Sequence, residues 1–582
     1  MLAPAYLRHF PDSLLSLSQR RLLLFLLTFA ALIILTGIGL RSPWPADEPR
    51  FAEIAREMVV SGDWLIPTRG GELYPDKPPV FMWSIALFYW LTGNLKVAFL
   101  LPSALSALLT LGLVYDLGAR LWNKRTGAIA LLLLMLAPQF LAQAQKAQID
   151  AMVTAWITVA SYGLIRHFFI GPAWGWYFAA WAFMGLGIIT KGVGFLPILM
   201  FLPLWVVHLR DQNLFRTSLT WPCALGPVVM LAVVGAWLIP MVLHVNGLGT
   251  DEALAYRDNI LFKQTGERYA DSWGHLQPWH YFLTSVIPAL WFPLPLLLLA
   301  LLRPVADTLR HRPVVLVQLV WVALVIVFFS ASPGKRGVYL LPALPMLALA
   351  LAPVVGTQKP ARWFQVLLTG LHVAVAVGLV TLGLLAWADH PSLVRKVSDY
   401  STDPARLHDA GTLVLILGLT WLATVVGFWR SRPLGRLFLA MMLTWLLFST
   451  WGYRILEPLR TPRNILAAAE QGLPPNAQLG MIDFREQFIL FSKLDFVHFS
   501  FFSSLQEEER NAWRWMGEDQ QRYLLVEKGL PLSCFTTEGA KDLGVAHRER
   551  WLLLRPAQRQ DRCTPPAQVR QFRTQTPGQW LD

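Results

Sequence analysis

The sequence predicts a polytopic α-helical membrane protein, and its composition and the spacing of its apolar stretches carry this prediction. Of the 582 residues, 55% are hydrophobic and only 15% are charged, and the mean hydropathy is +0.44. A soluble protein of this length rarely combines these values. Apolar stretches long enough to cross about 30 Å of hydrocarbon recur from Leu22 to Trp451, and the short segments between them hold most of the charges.

We predict about 13 membrane spans from these stretches. They cover residues 21–40, 97–116, 127–143, 151–169, 174–189, 193–209, 222–243, 283–302, 314–331, 338–355, 364–387, 412–429 and 436–451. The first span is long and no small-residue cleavage site follows it, so we interpret it as retained.

The basic residues predict the orientation, because short cytoplasmic loops retain Lys and Arg. With a cytoplasmic N-terminus, every second loop carries basic residues on the inner side, namely Arg20/Arg21, Arg120/Lys124/Arg125, Arg166, Arg210/Arg216, Arg303/Arg310/Arg312, Lys359/Arg362 and Arg430/Arg432/Arg436. The net charge of +13 is then mostly a topology signal with some attraction to anionic membrane lipids. We see no reason in it to expect nucleic-acid binding.

The odd number of spans divides the chain into a transmembrane domain, residues 1–451, and a soluble domain, residues 452–582, on the outer face. The long loops 41–96, 244–282 and 388–411 lie on that same face. Only the outer side therefore has enough chain to build an elaborate site.

The soluble domain has an α/β pattern. Its predicted helices are Ile465–Gln471 and Gln506–Trp515, and its predicted strands are Gln478–Phe484, Arg522–Glu527 and Arg548–Leu554. Cys534 and Cys563 both fall in this part, where a disulfide is permitted.

Two short helices are predicted in the first outer loop. From Phe51 to Val59 apolar residues recur with helical spacing, and Glu53, Arg56 and Glu57 occupy the opposite face. We expect this helix to lie along the membrane surface. The apolar stretch that follows Pro78-Pro79 is short for a crossing and predicts an interfacial or re-entrant helix.

The same loop contains the strongest cluster of chemically capable residues. Asp47 precedes the first helix, and a Tyr74-Pro75-Asp76-Lys77-Pro78-Pro79 segment precedes the second. A carboxylate near a lysine at the mouth of a membrane cavity offers a general base beside a partner for phosphate. Because Asp47 stands just before Pro49, it also fits a helix N-cap, and the two interpretations are compatible.

Further charged residues fall at predicted outer ends of spans. Asp150 could act in a cavity or pair with Lys146 one helical turn away. Lys335 and Arg336 go against the positive-inside trend, which indicates an anionic partner such as a lipid phosphate, although snorkelling is the alternative. Lys191 is also predicted near the outer end of a span, and snorkelling is again the alternative to a functional role.

The loop before residue 282 adds further polar residues, among them Arg268. His275 and His280 could each bind a metal ion or titrate near neutrality, and each also fits an ordinary interfacial histidine.

The sequence resembles the polyprenyl-phosphate-sugar-dependent membrane glycosyltransferases, which include lipid A aminoarabinose transferases and, more distantly, protein O-mannosyltransferases. The resemblance rests on Asp47-Glu48-x-Arg50-Phe51-Ala52-Glu53-Ile54-Ala55-Arg56-Glu57-Met58, Ser61-Gly62-Asp63-Trp64 and Lys77-Pro78-Pro79. It is extended by Lys335-x-x-x-Tyr339-x-x-Pro342 and Pro278-Trp279-x-Tyr281. It thus covers roughly residues 20–350. It implies a GT-C fold with about 13 helices, interfacial helices in the first outer loop and a C-terminal periplasmic domain.

The resemblance also implies roles for particular residues. Asp47 corresponds to the catalytic aspartate and Asp150 to a second acidic residue at the cavity. The residues implied to contact the carrier phosphate are Tyr74, Lys77, Lys335, Tyr339 and, less closely, Arg268. Asp76 and His275 are the candidate ligands of a divalent metal ion.

Two positions depart from the family pattern. Phe51 stands where relatives usually have Tyr, which removes a hydroxyl contact. Asp76 stands where they often have Glu, and its shorter carboxylate puts the metal site in doubt.

The expected function is transfer of a sugar from an undecaprenyl-type polyprenyl phosphate to a lipid or glycan acceptor, such as lipid A, on the periplasmic face of a bacterial inner membrane. A direct displacement would invert the anomeric centre. Two alternatives remain open from the sequence. One is a protein O-glycosyltransferase of the same family, and the other is a transporter or flippase of lipid-linked sugar without chemistry of its own. Transporters tend to show paired repeats and midplane charges, and neither is visible here.

Overall fold

The computed structural model describes residues 14, 16–262, 275–398 and 405–574. Among these residues, eight helices are long and apolar enough to cross a membrane. They are Leu95–Leu121, Ile149–Ile170, Trp221–Leu248, Pro313–Ala331, Gly337–Thr357, Arg362–Trp387, Ala405–Gly427 and Pro433–Arg460.

Two bent helix pairs raise this number to ten if each is one span. Lys124–Leu136 and Pro138–Ala144 meet at 78°, and Phe282–Leu290 and Leu294–Ala300 meet at 98°. A proline lies at each break, and proline lacks the N–H that would continue the helix.

Shorter or less apolar helices complete the bundle, and they are Gln19–Leu35, Val80–Thr92, Trp174–Lys191 and Leu196–Arg210. Each of the predicted spans overlaps one of these helices or bent pairs. The class of polytopic helical membrane protein is therefore confirmed, and the number of crossings stays a prediction.

The bundle has an inner and an outer set of helices. About four fifths of the apolar windows of Ile149–Ile170 and Gly337–Thr357 are buried, against 17% for Trp221–Leu248 and 22% for Arg362–Trp387. The inner helices carry Asp150 and Tyr339 near the ends that face the first loop. These two side chains are therefore held by the most buried helices of the bundle.

The first long loop, residues 41–96, folds into two helices and a small hairpin. Helix Glu48–Ser61 begins with Pro49 in its first turn and ends at Gly62. Strands β1 (Thr68–Arg69) and β2 (Glu72–Leu73) pair antiparallel, and helix Val80–Thr92 follows. Both predicted short helices are present.

The expected exposure of the first loop helix is wrong. Glu53 and Arg56 are fully buried, and the Arg56 Nη2 lies 2.6 Å from the Glu53 Oε1. Glu57, which is 6% exposed, accepts hydrogen bonds from Thr68 and the Gly71 amide. Thr68 and Gly71 of the hairpin cover Glu57, and Tyr89 of helix Val80–Thr92 lies near the Glu53–Arg56 pair, so this helix is part of a packed loop.

The C-terminal part, residues 463–574, forms a six-stranded sheet with flanking helices, which we call the C-terminal sheet region. Its strands are β3 (Gln478–Met481), β4 (Asp495–His498), β5 (Arg522–Glu527), β6 (Lys541–Ala546), β7 (Glu549–Leu554) and β8 (Phe572–Arg573). The order is β6-β7-β5-β3-β4-β8, with parallel pairing of β3 to β4 and β5 and antiparallel pairing elsewhere.

Helices Arg463–Glu470 and Leu505–Gly517 agree with the predicted ones, and the second begins with a capping box of Ser504 and Glu507. Cys534 and Cys563 form a disulfide.

Candidate functional site

A polar cavity of about 320 Å³ lies between the first loop and the ends of the inner helices. Its charged or titratable lining residues are Asp47, Arg50, Asp76, Lys77, Asp150, Lys191, His275 and Arg336. Tyr74, Gln148, Phe329 and Tyr339 also contribute to the wall. Segments far apart in sequence therefore bring acids and bases to one pocket.

Asp47 is held in this cavity by side chains from two other segments. Its Oδ2 accepts hydrogen bonds from the Gln148 Nε2 at 2.7 Å and the Arg336 Nη2 at 3.0 Å. The Arg50 Nη1 lies 4.0 Å from its Oδ1. Asp47 occupies the N-cap position of helix Glu48–Ser61, yet its side chain makes no capping hydrogen bond. The carboxylate faces the cavity instead.

The pKa of Asp47 is lowered. Burial alone raises it, but the charge and hydrogen bond of Arg336, the Gln148 hydrogen bond and the charge of Arg50 outweigh that effect. Asp47 is therefore an anion at neutral pH, as a general base must be.

Asp150 pairs with Lys191 and not with Lys146. The Lys191 Nζ donates to the Asp150 Oδ1, and both side chains are about nine-tenths buried. The same ammonium lies 4.7 Å from the ring centroid of Tyr339. The predicted pairing with Lys146 is replaced because Lys191, at the end of helix Trp174–Lys191, reaches the start of the neighbouring inner helix.

Tyr74 and Lys77 lie in the same wall. The Lys77 Nζ donates to the Asp76 carbonyl at 2.7 Å. Tyr74 is 1% exposed, and burial, followed by the charge of Asp76, raises its pKa. Its hydroxyl therefore remains protonated and can donate a hydrogen bond to an anion.

Lys335 does not line the cavity. Its Nζ donates to the carbonyls of Gln277 and Ser332, and the residue is 4% exposed. Arg336 lines the cavity in its place. Since Arg336 has extended backbone angles, φ −122° and ψ 142°, adjacent side chains point to opposite sides. The cation expected from Lys335 is therefore supplied by its neighbour.

Three other predicted residues have different outcomes. Arg268 lies outside the described residues. Asp76 and His275 both line the cavity, but the described residues contain no group of three or more His, Cys, Asp or Glu side chains able to hold a metal ion. A pair of donors supplies only part of the coordination that a divalent ion needs, so the protein side chains alone do not fit a closed metal site. The metal ion stays a prediction.

Arg50 and Gln148 had no predicted role. Arg50 stands one turn after Asp47 on the same helix, and Gln148 stands two residues before Asp150. That spacing was the available signal, but it does not show that both side chains turn toward Asp47.

An apolar groove of about 730 Å³ adjoins the polar cavity. The two share Asp76, Lys77, Lys191 and Ser332. The rest of the groove is mostly apolar, with Ile188, Ile189, Phe195, Val234, Trp237, Leu238, Ile260, Leu261, Val327, Phe328 and Ala331. A molecule with a charged head and a hydrocarbon tail fits this junction.

Comparison with solved structures identifies the fold. The crystal structure of ArnT from Cupriavidus metallidurans bound to undecaprenyl phosphate superposes with a TM-score of 0.69 and 21% sequence identity, over 91% of this chain and 97% of that one. The fold and the cavity between the first loop and the inner helices define a polytopic membrane protein of the GT-C class.

Sequence relatives identify the family. The undecaprenyl phosphate-alpha-4-amino-4-deoxy-L-arabinose arabinosyl transferase of Pseudomonas aeruginosa (strain UCBPP-PA14) is 30% identical over 446 residues, which are 74% of this chain and 76% of that protein. The chain belongs to this aminoarabinose transferase family, as the resemblance implied.

Two other matches have narrower coverage. The transferase of the same name from Pectobacterium carotovorum subsp. carotovorum (strain PC1) is 30% identical over 379 residues, and the chain spans 65% of its length. A family model described as dolichyl-phosphate-mannose-protein mannosyltransferase matches residues 76–239.

Proposed function

We propose that this protein transfers a sugar from a polyprenyl phosphate carrier, of the undecaprenyl type, to an acceptor on the periplasmic face of the inner membrane. The acceptor is lipid A or another envelope glycan. One observation carries the proposal. An ionised carboxylate and several cations line one polar cavity, and that cavity joins an apolar groove within the helical bundle. A prenyl chain in the groove would place its phosphate among the cations.

The carrier phosphate is assigned to the junction of the cavity and the groove. Lys77 and Lys191 line both spaces, and Arg336 lines the cavity side. The Tyr74 hydroxyl and Tyr339 complete this wall. Cations and a hydroxyl donor stabilise the negative charge that gathers on the phosphate as its bond to the sugar breaks.

The proposed reaction is a single displacement at the anomeric carbon. Asp47 accepts the proton of an acceptor hydroxyl while that oxygen forms a bond to the anomeric carbon. The bond from this carbon to the phosphate oxygen breaks, and the electron pair leaves with the polyprenyl phosphate. The anomeric configuration inverts. General-base catalysis of this kind contributes about 10² to 10⁴ in rate.

Arg336 links donor binding to the base. In the structure it pairs with Asp47, and its side chain is 37% exposed, so it has room to turn toward an incoming phosphate. When it does so, one of the causes that lower the Asp47 pKa is removed, and Asp47 becomes a stronger base. The binding energy of the phosphate is then used in the chemical step.

The outer location is part of the proposal. Nucleotide sugars are not available outside the cytoplasmic membrane, so a site on that face needs a donor delivered by a lipid. The alternating basic loops support this orientation. The Cys534–Cys563 disulfide also supports it, since disulfides persist in oxidising compartments.

The function is tested with purified protein in liposomes that contain an undecaprenyl phosphate-linked aminopentose and lipid A. We expect free undecaprenyl phosphate and lipid A heavier by one sugar, both detected by mass spectrometry. If neither free undecaprenyl phosphate nor heavier lipid A appears, the transferase proposal is wrong. If the carrier also moves between leaflets with its sugar still attached, a flippase is supported.

A protein acceptor is the second candidate, because the matching family model is described as a protein mannosyltransferase. Mass spectrometry of envelope lipids and proteins from cells with and without this protein separates the two acceptors. Unchanged lipid A together with a sugar on envelope proteins would favour the second candidate.

A further inference from the structure

Glu486 connects the C-terminal sheet region to the polar cavity. It begins the short helix Glu486–Phe491, and its side chain is 6% exposed. Its Oε1 accepts a hydrogen bond from the Arg50 Nε at 2.8 Å. Its Oε2 lies 3.9 Å from the Arg69 Nη1. A carboxylate from beyond the transmembrane helices therefore reaches an arginine of the cavity wall.

Arg50 lies between two carboxylates. On one side it is bonded to Glu486, and on the other its Nη1 is 4.0 Å from the Asp47 Oδ1, which is beyond hydrogen-bond distance. The hydrogen bonds that Asp47 accepts from Gln148 and Arg336 both end on its Oδ2. Among the described residues, no hydrogen bond reaches Oδ1, and this oxygen is the one open to an acceptor hydroxyl.

The surroundings of Glu486 explain why its charge matters. Arg69 is buried, its guanidinium carbon lies 3.6 Å from the Phe501 ring centroid, and its Nε and Nη1 make no hydrogen bond within the described part of the chain. The negative charge of Glu486 thus compensates the positive charges of Arg50 and Arg69 at a buried position. If this charge is lost, Asp47 and Asp76 are the carboxylates that remain near Arg50, and Asp47 stands one turn before it at the start of the same helix.

We propose that Glu486 is a positioning residue, supplied by the C-terminal sheet region, which holds Arg50 away from Asp47 and so keeps the Asp47 Oδ1 open to the acceptor. The inference rests on the proposed role of Asp47 as the base. It gives the C-terminal sheet region a direct part in the reaction, because the region determines where a cavity arginine points.

The test is a double-mutant cycle with Glu486→Gln and Arg50→Gln in the full-length protein. In Glu486→Gln, Arg50 is expected to pair with the Asp47 Oδ1, and kcat should fall by about 10², the low end of the contribution of a general base. The KM for the donor should change little. Adding Arg50→Gln removes the blocking group, so kcat of the double variant should be about tenfold higher than that of Glu486→Gln.

This recovery separates positioning from a structural role. If Glu486 only docks the C-terminal sheet region, the double variant stays as slow as Glu486→Gln or becomes slower, and the inference is wrong. Glu72→Gln is the matched control. Glu72 docks the same region by accepting hydrogen bonds from the Ser500 hydroxyl and the Phe501 amide, and it does not line the cavity. Its loss should not be rescued by Arg50→Gln.

A structural measurement makes the outcome independent of activity. In a cryo-EM or crystal structure of Glu486→Gln, the distance from Arg50 to the Asp47 Oδ1 should shorten from 4.0 Å to hydrogen-bond length. An unchanged distance overturns the inference even if transfer is never observed. If the unmodified protein transfers no sugar but the distance shortens, only the proposed function fails. If Glu486→Gln does not fold, Glu486→Asp replaces it. Its shorter carboxylate should shorten the distance from Arg50 to the Asp47 Oδ1 in the same direction but by less.

Discussion

The Arg336 guanidinium lies 3.0 Å from the Asp47 carboxylate, although 289 residues separate the two in sequence. The pair joins the start of the first outer loop to the turn that precedes helix Gly337–Thr357. In the resting protein the candidate base is therefore bound to a cation that the donor phosphate also attracts.

Replacing Arg336 by Gln should change the pH dependence of transfer. Asp47 must be ionised to act, so activity falls as pH drops through its pKa, which Arg336 helps to lower. Without that cation, burial raises the Asp47 pKa, and the acid limb of the kcat/KM profile should move to higher pH. The donor KM should also rise. Initial rates measured from neutral pH to below pH 3.8, the ordinary pKa of an aspartate carboxyl, give both the acid limb and the donor KM.

Lys335→Gln is the matched control for this prediction. Its ammonium bonds to the backbone carbonyls of Gln277 and Ser332 and does not itself line the cavity, so the variant should lose stability without moving the acid limb. A shift in the Lys335 variant and none in the Arg336 variant would reverse the assignment.

Asp47→Asn should reduce the rate of transfer by about 10² to 10⁴, because an amide cannot accept the acceptor proton. Binding of undecaprenyl phosphate should persist, since the cations of the cavity remain. The comparison variant is Asp63→Asn, an exposed aspartate at the end of the same loop helix. Equal rates for the two variants would remove Asp47 from the mechanism.

The ion pair of Asp150 and Lys191 should behave as a unit. Both partners are mostly buried, so neutralising one leaves the other charge uncompensated. We expect Asp150→Asn and Lys191→Met each to lower the melting temperature of the detergent-purified protein more than the double variant does. Additive losses would mean that the two groups do not depend on each other.

Filling the apolar groove should weaken donor binding. Val234→Trp adds bulk to the groove lining, and long-chain donors should show a higher KM with kcat nearly unchanged. Val228→Trp is the control, because Val228 is 59% exposed on the same helix and does not line the groove. If the two variants have the same KM, the prenyl chain binds elsewhere.

His498 should make the C-terminal sheet region sensitive to acid. It is fully buried against Phe484, donates from Nε2 to the Gly70 carbonyl at 3.0 Å, and burial lowers its pKa to about 3. The unfolded state binds a proton near pH 6.5, whereas the folded state stays neutral, so stability falls as pH drops below that value.

The expected loss between pH 7 and pH 5 is about 2 kcal/mol. Hydrogen–deuterium exchange of strand β4, corrected for intrinsic rates, measures it. In His498→Gln this part of the pH dependence should disappear. An identical pH response in both proteins would show that other groups cause it.

The sequence predicted most of what depends on local pattern. The apolar helices and the helix at Glu48–Ser61, with Asp47 just before it, follow from spacing and motif. The choice between Lys335 and Arg336 could not be predicted, because it depends on which side of an extended segment meets the cavity. The Asp150–Lys191 pair could not be predicted either, since it joins the ends of two different helices.

Short strands were also missed. Strands β4, β6 and β8 were not predicted, and each exists because a neighbouring strand offers hydrogen bonds. The buried charges at Glu53 and Arg56 were assigned to a surface because the sequence of the helix does not show that helix Val80–Thr92, with Tyr89, packs near them.

Lys77 and Lys191 line both the groove and the cavity. Once the sugar has moved, the spent carrier still has the same phosphate and the same prenyl chain, so the contacts that bring in a donor also retain the product. Turnover would then depend on the ratio of loaded to unloaded carrier in the membrane. Removal of spent carrier from the membrane would then limit the turnover rate of this protein as much as its own chemical step does.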